Sequence, residues 1–134
     1  IKNKIPVLGH LGLLPQSNKG KFKSKGKTTR EIKKLFSDAL LLQKAGVFAI
    51  VLECVKTPIA KQITKDLNIP TIGIGSSVHC DGQVLVTDDL LGLNETKIKF
   101  VKKYLNIKKY INLGLKKYAS DVKSKKYPSK KHSY

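Results

Sequence analysis

The stretch Val47-Phe48-Ala49-Ile50-Val51-Leu52-Glu53-Cys54 decides the fold class of this chain. Six apolar residues in a row, short and rich in β-branched and aromatic types, stand between Gly46 and Thr57-Pro58. That pattern predicts a strand buried on both faces, and such strands belong to parallel sheets covered by helices. Glu53 falls at the carboxyl end, where the loops of α/β folds converge and ligands gather. It is a candidate catalytic carboxylate. The alternative, from position alone, is a carboxylate that simply reaches solvent as the strand emerges.

Working outward, the sequence alternates between helical and strand patterns. Upstream, Thr28 and Glu31 stand at capping-box spacing, and Ile32, Leu35, Phe36, Ala39 and Leu40 recur at helical spacing as far as Gly46. Before that, Ile5 to Leu8 predicts a short strand opening into the Gly-rich loop after Gly9, with His10 at the strand's carboxyl end. A histidine there serves either as a hydrogen-bonded structural residue or in ligand contact and proton transfer. Downstream, Thr57 as N-cap and Pro58 at the first helical position introduce a stripe of Ile59, Ala60, Ile63 and Leu67. Ile69 to Ile74 and Gln83 to Thr87 complete the strands, so segments near 5–8, 47–53, 70–74 and 83–87 are expected to lie parallel, side by side, in that order. Asn94 is positioned to cap a helix bearing Ile98, Val101 and Leu105, and Ile107, Ile111, Leu115, Tyr118 and Val122 mark another. Tyr127 to Tyr134 reads as a tail that becomes ordered by docking.

Composition narrows the function classes. A chain of 134 residues, 40% hydrophobic, is long enough for one core, and none of its apolar runs approaches the roughly 18 residues of a membrane span. It reads as soluble. The chain begins at Ile1 without an initiator Met or a leader pattern, which suggests a start within a longer protein. A net charge of +18 raises the question of nucleic acid, yet Arg30 is the single arginine among 27 basic residues. Base readout and bidentate phosphate contacts favour arginine's planar fork, so the lysines read as solvated helix faces. Those alternating from Lys19 to Lys27 read as a solvated loop, with steering of an anionic cofactor as the other use. Cys54 and Cys80 lack C-x-x-C spacing, which argues against a disulfide framework or zinc knuckle and fits a reducing cytoplasm.

Gly73, Gly75 and Ser76 are the cofactor-binding candidates, because glycines let backbone approach a ligand and the amides of such a loop can bind an anion. Packing is the competing role. His79, Cys80 and Asp81 carry metal-ligating groups, but three near-consecutive residues without a partner motif favour turn roles.

The segments Pro6-Val7-Leu8-Gly9-His10-Leu11-Gly12-Leu13-Leu14-Pro15-Gln16, Val51-Leu52-Glu53-Cys54-Val55, Ile69-Pro70-Thr71-Ile72-Gly73-Ile74-Gly75 and Asp81-Gly82-Gln83-Val84-Leu85-Val86 resemble the ketopantoate hydroxymethyltransferase family. Leu90-Leu91-Gly92-Leu93, Tyr127-Pro128-Ser129 and His132-Ser133 do too, and the joint, colinear order makes the resemblance specific. It implies an α/β fold, the second half of a (β/α)8 TIM-type barrel with extra C-terminal helices, in which residues 1–126 belong to the barrel domain and 127–134 form the tail. A full barrel needs about 250 residues. The implied reaction transfers a hydroxymethyl group from 5,10-methylenetetrahydrofolate to 3-methyl-2-oxobutanoate, giving 2-dehydropantoate for pantothenate biosynthesis. Implied too are magnesium held by carboxylates of the first half, with no metal ligand in this chain, and a cytoplasmic homo-oligomer, commonly a decamer, without nucleic-acid or membrane partners. By the same resemblance, Glu53 matches the proton-accepting base and His10 an active-site histidine that orients the substrate. Departures from the family pattern are Ser76-Ser77 for Ala-Gly, Lys25 for glutamine and Asp88 for histidine. The fragment alone is expected to be inactive. The other readings are a truncated or decayed remnant with a scaffold role and, further off, a basic nucleic-acid-binding protein.

Overall fold

A computed structural model describes residues 1, 3–14, 23–95 and 97–134. Two compact units emerge, residues 1–85 with 98–100 and residues 86–97 with 101–134.

The first unit is built on strands β1 (Leu8–Gly12), β2 (Ala49–Glu53), β3 (Thr71–Ile74) and β4 (Gly82–Gln83), with helices α1 (Thr29–Ala45) and α2 (Thr57–Asp66) in the connections. All neighbouring strands pair in parallel, in the order β1-β2-β3-β4, as the apolar runs predict. The central strand is buried as expected from Ala49 onward, with Ile50 and Leu52 fully enclosed, whereas Phe48 is exposed. Ile50 and Leu52 join Leu11, Leu35, Ala60 and Ile63 in one helix-side core.

Local signals set both helices. Thr28 Oγ1 accepts the Glu31 amide at 3.2 Å, while the Glu31 carboxylate accepts from the amides of Lys27 at 2.7 Å and Gly26 at 3.1 Å. These contacts, that from Lys27 foremost, hold the Glu31 carboxyl below its usual range. Gly46 ends α1 in the left-handed conformation, φ 91°. Helix α2 begins at Thr57, so Lys56 takes the N-cap place expected for Thr57. The Thr57 hydroxyl instead donates to the Ser76 carbonyl at 3.2 Å.

Three further expectations need correction. The first strand runs Leu8–Gly12 rather than 5–8, so His10 lies mid-strand. Gly9 does not interrupt it, because a Cβ there would sit 3.3 Å from Ile50 and Leu42, and the glycine serves close packing. The fourth strand shrinks to Gly82–Gln83. Val84 still donates to the Gly73 carbonyl at 3.0 Å, but Val84 and Val86 are exposed, so no packing sustains the extension. In the second unit, the helix expected after Asn94 is absent among the described residues. Asn94 Nδ2 donates to the buried Asp89 at 2.9 Å, within a turn following the short helix α3 (Thr87–Leu90). Tyr104 and Ile107 donate to the carbonyls of Leu90 and Leu91, both at 2.9 Å, so this backbone is tied to the end of α3 rather than to itself.

Helix α4 (Ile107–Lys123) forms where its stripe predicts, capped by Asn106, and none of its residues is buried. In the tail, the Tyr127 ring meets Tyr118 edge-on at 5.5 Å and lies 5.7 Å from His132. Cys54 and Cys80 are free and buried. No helix among the described residues is long and apolar enough to cross a membrane. Of the lysine-rich segment, residues 19–22 lie outside the described residues, while Lys25 makes a parallel bridge with Val55.

Asp81 has a structural role. Its Oδ2 accepts the amide of the fully buried Thr71 at 2.8 Å and the Thr71 hydroxyl at 3.0 Å. The amide contact, then the hydroxyl, depresses the Asp81 pKa. A depressed carboxylate contributes stability that is complete above the unfolded value of about 3.9 and lost as pH falls through the folded value. Urea midpoints should therefore fall more steeply below about pH 4 in the native protein than in Asp81→Asn. Parallel curves would assign no such role to Asp81.

Candidate active site

Parallel register sets His10 opposite Val51 and Gly12 opposite Glu53. Side chains alternate across a sheet, so Leu11, Ile50 and Leu52 face the helices while His10, Val51 and Glu53 share the other face. There His10 Nε2 lies 3.1 Å from Glu53 Oε2, joining residues 43 positions apart. Glu53 is only 8% exposed, so the carboxylate does not emerge into solvent. Its side chain is 11% accessible against 32% for His10, which leaves the histidine as the more open partner. With a proton on Nε2, His10 donates to the carboxylate and Nδ1 becomes an acceptor. That Nδ1 is buried and has no partner among the described residues.

The backbone holds Glu53 from both sides. Its carbonyl accepts the Leu13 amide at 2.9 Å, and Cys54 donates its amide to the Ile74 carbonyl, also at 2.9 Å. The Cys54 carbonyl in turn accepts from the Lys25 amide at 2.8 Å. Gly12 has φ 106°, and a Cβ there would lie 2.0 Å from the Glu53 carbonyl oxygen. Cys54, immediately after Glu53, is also left-handed at φ 53°. For a residue with a side chain, this conformation costs about 1 to 2 kcal/mol. Burial, and then the charge of Glu53, pushes the Cys54 thiol above its usual range.

The candidates Gly73, Gly75 and Ser76 lie at and just beyond the carboxyl end of β3, beside Glu53, whose register partner is Ile74. Protein fills the space their missing side chains leave. A Cβ on Gly75 would lie 2.4 Å from the Phe100 ring, and one on Gly73 2.8 Å from Gln83 Oε1. The Ser76 hydroxyl donates to the Val55 carbonyl at 3.0 Å. Ser77 is buried; its hydroxyl accepts the His79 amide at 3.2 Å and its carbonyl the Gln83 amide group at 2.7 Å. Next to His10 opens a cavity of about 310 Å³ lined by Leu14, Lys25, Glu31, Lys34 and Asp38 among others. Lys25, one of the departures from the family pattern, thus forms part of this wall.

Sequence reasoning missed Gly12, Cys54 and Phe100. Gly12 lay within a recognised Gly-rich loop, whereas neither Cys54 nor Phe100 carries a local signal of its conformation or neighbour.

The model of a family described as ketopantoate hydroxymethyltransferase matches residues 1–130. A 3-methyl-2-oxobutanoate hydroxymethyltransferase of Pelagibacter ubique (strain HTCC1062) is 62% identical over 134 residues, covering 100% of this chain and 52% of the relative. One from Saccharolobus solfataricus, bearing the same name, is 49% identical, covering 98% of this chain and 50% of the relative. The chain therefore spans about half the length of the curated relatives it matches. With the family model matching residues 1–130 and relatives matching the chain across nearly its whole length, the chain belongs to the ketopantoate hydroxymethyltransferase family, a family of transferases.

Proposed function

We propose that this chain supplies the proton-accepting half of an enzyme that transfers a hydroxymethyl group from 5,10-methylenetetrahydrofolate to 3-methyl-2-oxobutanoate, giving 2-dehydropantoate. The observation that carries the reading is the buried Glu53 carboxylate, 3.1 Å from His10, at the carboxyl end of the central strand. A carboxylate screened from water and fixed by a neighbour suits removal of a carbon-bound proton.

Glu53 takes the C3 proton of the oxo acid, and the electron pair of that C–H bond becomes the enolate. The enolate carbon bonds to the folate-borne methylene carbon as that carbon's two bonds to nitrogen break; water supplies the hydroxyl, and the two nitrogens take up the proton held by Glu53 and the proton released by water, so the products are 2-dehydropantoate and tetrahydrofolate. His10 holds the carboxylate through Nε2 and in this reading orients the substrate with the open part of its ring; its Nδ1 is buried and without a partner among the described residues. In this reading the backbone of Gly73, Gly75 and Ser76 lines the cofactor side, while Phe100 and Gln83, not the cofactor, fill the space left by the glycines' missing side chains.

Magnesium, which the family resemblance implies, does not fit the donor set in hand. No group of three or more His, Cys, Asp or Glu side chains among the described residues is arranged to hold a metal. We assign its ligands to residues outside this chain. In the same reading, residues 1–126 form the second half of a (β/α)8 barrel with 127–134 as its tail, and the complete protein is a cytoplasmic homo-oligomer.

The test is exchange of the C3 hydrogen. The complete enzyme in deuterated water, given 3-methyl-2-oxobutanoate without folate, should exchange that hydrogen catalytically. Failure to exchange under conditions that support turnover with folate would remove proton abstraction as an independent step.

A further inference from the structure

Of the ionisable side chains that line the cavity beside His10, all but one already have a partner. Lys34 pairs with Asp38 at 2.9 Å, and the Glu31 carboxylate accepts the amides of Lys27 and Gly26. His10 meets Glu53. Lys25 is left over: among the described residues its ammonium forms no ion pair. Its place is nevertheless fixed. The Lys25 amide donates to the Cys54 carbonyl at 2.8 Å and its carbonyl accepts the Lys56 amide at 3.0 Å, in a parallel bridge with Val55 just past the carboxyl end of β2. A backbone held on both sides limits how far the flexible stem can carry the charge, and the residue is partly buried. Leu11, Leu14 and Leu35 give the same cavity apolar walls. Its volume, about 310 Å³, falls at the lower end of the range for small-molecule sites, roughly 300–1,000 Å³. That space suits a small acid or one end of a larger ligand.

We propose that this cavity is a carboxylate-binding subsite of the transferase, with the Lys25 ammonium as its counter-charge. The proposal rests on the reading of the substrates given above, both of which are carboxylic acids: the oxo acid at C1 and the folate at its glutamyl end. An ammonium offers three donors and a compact positive charge to such a group. The two acids of the wall, Glu31 and Asp38, are each engaged by donors, so the charge with capacity to spare is the positive one.

The experiment uses the complete enzyme and reads two Michaelis constants: that of 3-methyl-2-oxobutanoate in C3 hydrogen exchange without folate, and that of 5,10-methylenetetrahydrofolate in turnover at saturating oxo acid. Lys25→Met removes the charge and keeps most of the stem, and the backbone bonds of residue 25 do not involve its side chain. One of the two KM values should rise about fivefold to tenfold with kcat within twofold of native, the scale of a charge-assisted hydrogen bond that stays partly solvated. A rise for the folate alone identifies the glutamyl carboxylate as the ligand; a rise for the oxo acid alone identifies the C1 carboxylate. Lys25→Arg, which keeps the charge, should hold the same constant within about threefold of native. Lys25→Glu should raise it at least about tenfold, and carries the test should the Met variant fail to fold. Both constants within twofold of native in the folded variants overturn the proposal, as does a loss shared by both constants or confined to kcat, or an equal loss in Lys25→Met and Lys25→Arg. A native enzyme that neither exchanges the C3 hydrogen nor turns over sinks the proposed function and this subsite with it, whereas native activity with both constants unmoved in the variants sinks the subsite alone.

Discussion

Glu53→Gln is expected to slow exchange of the C3 hydrogen of 3-methyl-2-oxobutanoate by roughly 10²-fold to 10⁴-fold in the complete enzyme, the usual scope of a general base. The substitution keeps shape and one acceptor oxygen while removing the group that takes the proton. His10 Nε2 sits 3.1 Å from the carboxylate in the native protein and can still donate to the amide oxygen, so the local packing survives. Oxo-acid affinity should change far less than the rate. His10→Asn should be milder than Glu53→Gln if the histidine orients rather than transfers. The decisive quantity is the exchange rate itself. If Glu53→Gln leaves exchange intact while turnover stops, Glu53 acts in the folate step or in positioning, and another group accepts the proton.

Gly12→Ala should destabilise the protein by about 3 kcal/mol or more, seen as a melting temperature lower by about 10 °C. Two independent costs combine at this position. The residue is at φ 106°, where a side chain is strained, and the new Cβ would lie 2.0 Å from the Glu53 carbonyl oxygen and 2.9 Å from Val55 Cγ2. The backbone contact is the severe one, because relieving it means parting β1 from β2 and breaking the bond from Leu13 to Glu53. Exchange activity should fall together with stability, since the displaced backbone carries the base. Gly114→Ala is the control. A Cβ at Gly114, within α4, meets nothing within 4 Å, so the change should be neutral or raise stability by up to about 1 kcal/mol. Equal effects at the two glycines would mean that the contact with Glu53 does not govern Gly12.

What was legible in the sequence is what depends on near neighbours. Thr28, Glu31 and Gly46 mark the ends of α1 because capping is completed within a few residues, and the apolar period of α4 survives although that helix buries nothing. The run from Val47 to Leu52 announces a parallel strand because burial on both faces removes the polar alternation an open sheet would show. Placing Glu53 at that strand's carboxyl end follows from the same run. Distant contacts decided the rest. Whether Glu53 is exposed or enclosed depends on β1, and its contact with His10 spans 43 positions. The register of β1 was misplaced because Gly9 looks like a breaker until Ile50 and Leu42 are packed against it. The segment after Asn94 was misread because hydrogen bonds to Asp89, Leu90 and Leu91 outcompeted a helix that its spacing permits. The turn at Cys54 has no local signature, since a left-handed cysteine is held only by partners from β3 and the Lys25 segment. Sequence determined helices α1, α2 and α4 and the order of the parallel sheet; tertiary structure decided the bounds of the outer strands and how the base is enclosed, because those properties belong to side chains that meet only after the strands have paired.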